Sequence, residues 1–175
     1  MNRRRFLAAT ALGALAGVAG CAGASESSTP SDGMDVETRH WVTDVLATDY
    51  RDRAPDGGPA PPVVLADPAE ARDRIDPDEG STWFDASDEV DRFVRDTDFE
   101  RSYLLVVQDG DSHQRYLELR SIERTDARLD VWASFDADVG SPVDDLVVHS
   151  LVVRVTDEEA GVPDRVELTV ADTPP

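Results

Sequence analysis

Three histidines, His40, His113 and His149, are the side chains of this chain best suited to acid–base chemistry. None belongs to a catalytic motif such as H-E-x-x-H or G-x-S-x-G. His149 shares strand parity with the apolar residues around it, which predicts a hydrogen-bonded core position. His113 follows a predicted turn, and we expect it to be exposed, where it could contact a ligand. The histidines therefore predict no catalytic residue and no enzyme.

The carboxylates are too numerous for their spacing to be informative, because 37 of the 175 residues are acidic. The stretch Asp109–Ser112 begins like a calcium-binding loop. However, Gln114 stands where that loop needs glycine, and Arg120 stands where it needs glutamate. We therefore interpret Asp109-Gly110 as a hairpin turn. A second acidic stretch, residues 76–79, could hold a cation only loosely. The single cysteine excludes a cysteine-rich metal site, so the sequence predicts no metal and no cofactor.

Three tryptophans, Trp41, Trp83 and Trp132, could form a binding surface for a carbohydrate or a peptide. Trp132 is the best candidate, because it alternates with the apolar residues of a predicted strand and so points away from the core. The alternative is that a helix or the N-terminal segment covers it. Trp132 and His113 are thus the two predicted ligand contacts.

The elements that position these residues are mostly strands. A helix is predicted to begin at Asp67-Pro68, an N-cap followed by proline, and to end near Ile75. A second helix is predicted over Ser87–Thr97, where apolar residues recur with helical spacing. Short apolar runs and period-two alternation predict strands over Val63–Leu65, Tyr103–Gln108, Arg115–Glu123, Leu129–Phe135, Leu146–Val155 and Arg165–Val170. The predicted fold is mainly β (α+β), an antiparallel β-sandwich or open barrel with about two short helices.

The first twenty residues have the layout of an export signal. Three arginines precede fifteen uncharged residues, Phe6–Gly20, and small residues precede Cys21. The uncharged stretch is short for a bilayer-spanning helix, which needs about 20 apolar residues. We therefore expect a cleaved signal and not a permanent helical anchor.

The motifs of this segment resemble those of twin-arginine lipoproteins. The R-R-x-F-L signature is matched by Arg3, Arg4, Phe6 and Leu7, and the lipobox by Val18, Ala19, Gly20 and Cys21. The resemblance implies cleavage of a signal peptide over residues 1–20 and a lipid on the Cys21 sulfur. It also implies attachment to the extracellular face of the cell membrane. Residues 21–35 are then the lipidated cysteine and a flexible linker, and residues 36–175 are a single acidic, β-rich ectodomain.

The charge of the chain is strongly negative. All 17 basic residues are arginine, and the 37 acids leave a formal charge of -20. Such an acidic, lysine-free composition resembles that of secreted proteins of extremely halophilic archaea, in which surface carboxylates hold water and cations. It also argues against a nucleic acid partner, because phosphates need a basic footprint.

A second resemblance covers residues Phe99–Val155. This segment resembles the small C-terminal β-domain of PrcB-type accessory subunits of secreted protease complexes. The resemblance lies in the order of its parts, which are an apolar strand, a turn, Y-L-E-L-R-S-I, L-D-V-W-A and H-S-L-V-V-R-V. Those domains usually place a glycine pair before the tyrosine of the second strand, whereas Gln114 and Arg115 precede Tyr116 here. The resemblance implies an antiparallel β fold.

These observations together predict a lipid-anchored cell-surface protein of a halophile that acts as a non-catalytic binding domain. Its predicted partners are the membrane, through Cys21, and another envelope protein. One alternative is a regulator or accessory subunit of an extracellular protease. Another is an uncharacterised hydrolase in which His113 or His149 works with carboxylates.

We expect the ectodomain to need multimolar salt for its tertiary structure. At about 0.1 M salt the screening length is about 10 Å, so repulsion among the excess carboxylates destabilises the compact state. Near-UV circular dichroism should be lost on dialysis to about 0.1 M salt and should return when the salt is restored. A full native spectrum at about 0.1 M salt would contradict the halophilic assignment.

Overall fold

The computed structural model describes residues 29–30, 33–76, 86–113, 115–136 and 142–172. The side chains of residues 29, 30, 86 and 142–144 are not described. The helices are α1 (Tyr50–Arg53), α2 (Pro68–Arg74) and α3 (Ala86–Arg95). The strands are β1 (Thr29–Pro30), β2 (Met34–Trp41), β3 (Val63–Leu65), β4 (Ser102–His113), β5 (Leu117–Thr125), β6 (Arg128–Phe135), β7 (Pro142–Asp157) and β8 (Arg165–Val170).

The strands form two four-stranded sheets. The inner sheet has the order β2-β7-β4-β3 and is antiparallel throughout, and the outer sheet has the order β1-β5-β6-β8. The described strands do not close into a barrel, so the predicted α+β sandwich is confirmed. In the outer sheet, β1 and β8 run parallel to their neighbours, which the sequence did not predict. The chain crosses from the inner to the outer sheet between β7 and β8, and β8 then runs along β6 in the same direction.

The inner sheet is buried on both of its faces. Leu105 and Val107 of β4 face the outer sheet, whereas Leu104 and Val106 face the helices. The same alternation holds in β7, where successive residues face either the outer sheet or the helices. Because both faces are covered, these strands are apolar in nearly continuous runs. The predictions of a central strand over Tyr103–Gln108 and an interior strand up to Val155 are confirmed.

Helices α2 and α3 cover the second face of the inner sheet, and both were predicted. The Asp67 carboxylate accepts from the amides of Ala69 at 2.8 Å and Glu70 at 2.9 Å, which caps α2 at its N-terminus. Ile75 has an extended backbone and ends the helix, as expected. Arg154 of the inner sheet donates to the Phe93 carbonyl at 2.8 Å and so fastens the last turn of α3.

Helix α1 was not predicted, and a buried polar cluster fastens it to the inner sheet. Gln108 donates to Asp44 Oδ1 at 2.8 Å and to Ser150 Oγ at 2.6 Å, and its amide oxygen accepts from Arg53. Asp44 Oδ2 also accepts from the Tyr50 amide at 2.7 Å. Asp49 also caps the helix locally by accepting from the Arg51 amide at 2.8 Å. Arg53 and Gln108, in contrast, are 55 positions apart, so the contact that fastens the helix is not a local pattern.

The predicted hairpin turn at Asp109-Gly110 is wrong, because both residues lie within β4. Asp109 pairs with His149 and Gly110 pairs with Val148 of the inner sheet. A Cβ on residue 110 would lie 2.8 Å from Leu146 Cδ1 and 2.9 Å from Tyr50 Oη. Glycine is therefore needed here for the close approach of neighbouring side chains and not for a turn.

Strand pairing begins before residue 36. Thr29 and Pro30 pair with β5, and β2 begins at Met34. Residues 1–28 lie outside the described part, as do the signal, the lipobox, Trp83 and most of the acidic stretch 76–79. Among the described helices, none is both long and apolar enough to cross a membrane.

We expect Gly110→Ala to destabilise the domain by about 1–3 kcal/mol, because overpacking forces a backbone or side-chain shift. Tyr50 is fully buried and its hydroxyl donates to the Gly58 carbonyl, so it has little freedom to move away. Gly58→Ala is the matched control, since nothing lies within 4 Å of a Cβ at that position. Chemical denaturation in multimolar salt measures both variants, and equal unfolding free energies would contradict the packing argument.

Candidate functional site

The exposed side of the outer sheet carries Trp132. Its neighbours along β6, Val131 and Ala133, are buried between the two sheets, whereas Trp132 is half-buried on the opposite side. The three described helices pack on the far side of the inner sheet, so none of them covers Trp132. The predicted outward position of Trp132 is therefore confirmed. Its indole N–H donates to the Ala171 carbonyl at 2.9 Å, which fixes the orientation of the ring.

A groove runs across the outer sheet beside Trp132. It is open to solvent along one side and has a volume of about 510 Å³, within the range of about 300–1,000 Å³ typical of small-ligand sites. Its lining consists of two arginines, two aspartates, two aromatic rings and one serine: Arg115, Arg120, Asp136, Asp172, Trp132, Phe135 and Ser134. We call it the Trp132 groove.

Both arginines of the Trp132 groove are held in place through their Nε atoms. Arg120 Nε donates to Ser134 Oγ at 2.6 Å, and Arg115 Nε donates to Asp111 Oδ2 at 2.6 Å. The Arg115 guanidinium also lies 5.0 Å from the centre of the Phe135 ring. Within the described residues, neither terminal nitrogen of Arg115 makes a hydrogen bond. Fixed guanidinium groups with unused donors are suited to binding an anion.

His113, the other predicted ligand contact, lies near the groove but does not line it. It ends β4 and is half-buried, not exposed as expected, and its Nδ1 lies 3.2 Å from Asp111 Oδ1. Asp111 in turn accepts from Arg115, which lines the groove together with Trp132. His113 and Trp132 therefore lie at the same end of the sandwich. The Ser112 hydroxyl also approaches Nδ1, at 3.2 Å. Because the serine and the aspartate share one ring nitrogen, these residues do not form a catalytic triad.

His149 is a buried, hydrogen-bonded histidine, as predicted. Its Nε2 lies 3.1 Å from the His113 carbonyl oxygen and must therefore carry the proton. Its Nδ1 is then free to accept from His40 Nε2 at 3.3 Å. The His40 ring stacks on His149 and meets the exposed Tyr116 edge-on. This histidine pair joins β2 to β7 and lies behind Phe135 of the groove.

The surroundings of the histidine pair keep both rings neutral. Burial, together with repulsion from His149, lowers the pKa of His40 to about 3. Burial likewise lowers the pKa of His149. Asp109, on the strand next to His149, is buried and has no cationic partner among the described residues, and burial raises its pKa to about 6. These shifts follow chiefly from desolvation of a polar end of the core.

Sequence reasoning missed the arginines of the groove. Arg115 and Arg120 are five positions apart, so period-two alternation would place them on opposite faces. Arg115, however, precedes β5, which begins at Leu117, so strand alternation does not fix the direction of its side chain. Trp41, in contrast, packs edge-on against Phe93 in the helix-facing core and takes no part in the groove.

The polar groups of the groove are limited to a few side chains. Among its described lining residues there is no histidine, and the hydroxyl of Ser134 is nearly fully buried and accepts from Arg120. Among the described residues, no group of three or more histidine, cysteine or acidic side chains could hold a metal ion. The groove can therefore offer charge, hydrogen-bond donors and aromatic surface.

In comparisons with known proteins, no family model matches this chain, and neither a curated protein nor a solved structure is found to be similar to it. The resemblance of residues 99–155 to a PrcB-type domain and that of the N-terminus to twin-arginine lipoproteins therefore stay predictions.

We expect the His40–His149 pair to make the fold sensitive to acid. The native pKa of His40 lies below the value of 6.5 for an unfolded histidine, so the unfolded chain binds a proton that the native state does not. Stability is thus full above about pH 6.5 and is lost as the pH falls towards 3. Relative to His40→Gln, which keeps a donor but does not titrate, the wild type should lose about 1–2 kcal/mol between pH 7.5 and pH 5.

Chemical denaturation at several pH values in multimolar salt measures this difference. Asp109 acts in the opposite direction, because its raised pKa adds stability as the pH falls through 6, but it is present in both proteins and cancels. Parallel stability curves for the wild type and His40→Gln would show that the pair does not titrate as described.

Proposed function

We propose that this protein is a lipid-anchored, non-catalytic binding domain on the outer face of a halophile's cell membrane, and that the Trp132 groove is its binding surface. The observation that carries the proposal is the juxtaposition of Trp132 with two fixed guanidinium groups. All three line the same groove.

The arrangement of charge supports a binding role. The chain carries 37 acids and 17 arginines, and most described arginines pair with a neighbouring carboxylate. Arg115 and Arg120 also pair with carboxylates. Both nevertheless line one groove, where they place positive charge within a negative surface. Long-range repulsion of anions by the rest of the protein is screened at multimolar salt, where the screening length is below about 3 Å. Short-range attraction between an anionic ligand and these two arginines then remains.

The short chain before the domain supports a role next to the membrane. Seven residues, or eight Cα–Cα steps, separate Cys21 from Thr29, where pairing with the outer sheet begins. An extended chain of that length spans about 28 Å at most, so a lipid on Cys21 would hold the domain within roughly one domain diameter of the bilayer. Ligands of the groove are then expected among components of the cell envelope.

One experiment tests both the anchor and the groove. Full-length protein is expressed in a haloarchaeal host, and membranes are solubilised gently in multimolar salt. Wild type should be found in the membrane fraction together with a stoichiometric partner. Cys21→Ser should appear in the medium with the same partner, and Trp132→Ala should remain in the membrane without it. Val162→Ala is the matched control, because it truncates an exposed apolar side chain on the loop after β7.

Each arm can contradict one part of the proposal. Membrane retention of Cys21→Ser would contradict the lipid anchor. A partner retained by Trp132→Ala, or lost from Val162→Ala as well, would contradict the groove as the binding surface. Recovery of no partner with wild type would contradict the interaction role altogether. Identification of the partner as a protease would favour the accessory-subunit alternative.

A further inference from the structure

We infer that the Trp132 groove binds a short peptide of about three residues with both termini free and an apolar side chain in the middle. The inference rests on the proposed binding role of the groove and names its ligand class. It follows from the order of charges across the outer sheet.

The cationic side of the groove is formed by Arg120 of β5 and by Arg115, two residues before that strand. Arg115 and Arg120 are held through Nε, so the terminal nitrogens of Arg115 remain available on the groove side. The Nη1 atom of Arg120 contacts Glu118 Oε2 at 2.9 Å. Its Nη2 atom makes no hydrogen bond within the described part of the chain. A carboxylate matches this donor arrangement, because guanidinium groups bind it through two parallel hydrogen bonds.

The acidic side of the groove lies across the sheet, next to β8. Asp172 follows β8 by two residues and is exposed. The order β5-β6-β8 separates it from the arginines by two strand spacings, or about 10 Å at the backbone. A single amino acid is too short to span this distance. Three extended residues span about 10 Å, so a peptide of that length can place its carboxylate at the arginines and its ammonium at Asp172.

The floor between the two charged sides is aromatic. The Trp132 N–H is donated to Ala171, and the Ser134 hydroxyl is buried beneath Arg120. The side chains of the floor therefore offer ring surface, chiefly from Trp132, more than spare hydrogen bonds. Phe135 also lines the groove, at the end of β6, while its ring packs against the core between the sheets. An apolar side chain on the middle residue fits this surface. A phosphate-rich ligand does not, because Asp136 and Asp172 would repel it.

A series of capped tripeptides tests the inference. The probe is Ala-Leu-Ala, and the other forms are its N-acetylated, C-amidated and doubly blocked derivatives. Isothermal titration calorimetry is done on the full-length, detergent-solubilised protein in multimolar salt. The free peptide should bind most tightly, amidation should weaken binding by about tenfold or more, and acetylation by a smaller factor. The doubly blocked peptide should bind weakest of all.

Variants assign each terminus to its side of the groove. Arg120→Gln should weaken the free peptide by about tenfold and leave the amidated peptide almost unaffected. Asp172→Asn should likewise weaken binding of the free peptide and leave binding of the acetylated peptide almost unaffected. Arg92→Gln, an exposed arginine of α3 on the far side of the domain, is the control and should change nothing. Arg115→Gln replaces Arg120→Gln if near-UV circular dichroism shows that the latter is misfolded.

The results separate this inference from the proposed function. Equal affinity for all four peptides, or no affinity for any, overturns the peptide assignment. If the partner of the membrane experiment still depends on Trp132 in that case, the groove remains a binding surface for a different ligand. Loss of that dependence as well would overturn both.

Discussion

Burial of the inner sheet on both faces is the constraint on which the rest of this structure depends. Strands β4 and β7 are apolar on both sides, so each face needs a covering layer. The outer sheet covers one face and the three helices cover the other. Because the helices are used in this way, none of those described lies on the exposed side of the outer sheet. The side left open is where Trp132 and the groove lie.

Arginine has two different uses in this acidic chain. In one use it connects elements: Arg154 fastens α3 to the inner sheet, and Arg124 of the outer sheet donates to the carbonyls of Ala160 and Gly161 beyond β7. A planar group with five donors can bind several carbonyls at once, which a lysine could not do in a fixed geometry. In the groove, Arg115 and Arg120 are fixed in the same manner but keep donors for a ligand.

The polar end of the core connects these features. His40 and His149 pair across β2 and β7. Phe135 packs against His149, and Arg115 lies over the other side of the Phe135 ring. The groove wall is therefore supported by a hydrogen-bonded pair of neutral histidines. Acid that protonates the pair would loosen the same end of the sandwich that presents the groove, because two buried positive charges would repel each other.

The sequence by itself determined the local elements of this protein. Capping at Asp67, period-two alternation around Trp132 and the apolar run in β4 are short-range signals, and the structure agrees with them. Tertiary structure alone decided the Gly110 contact, the parallel course of β8 and the meeting of His40 with His149, which are 109 positions apart. It also decided that Arg115 and Arg120 share one groove. Such contacts depend on strand pairing, register shifts and the stacking of layers, and these are set by long-range packing that no local pattern encodes.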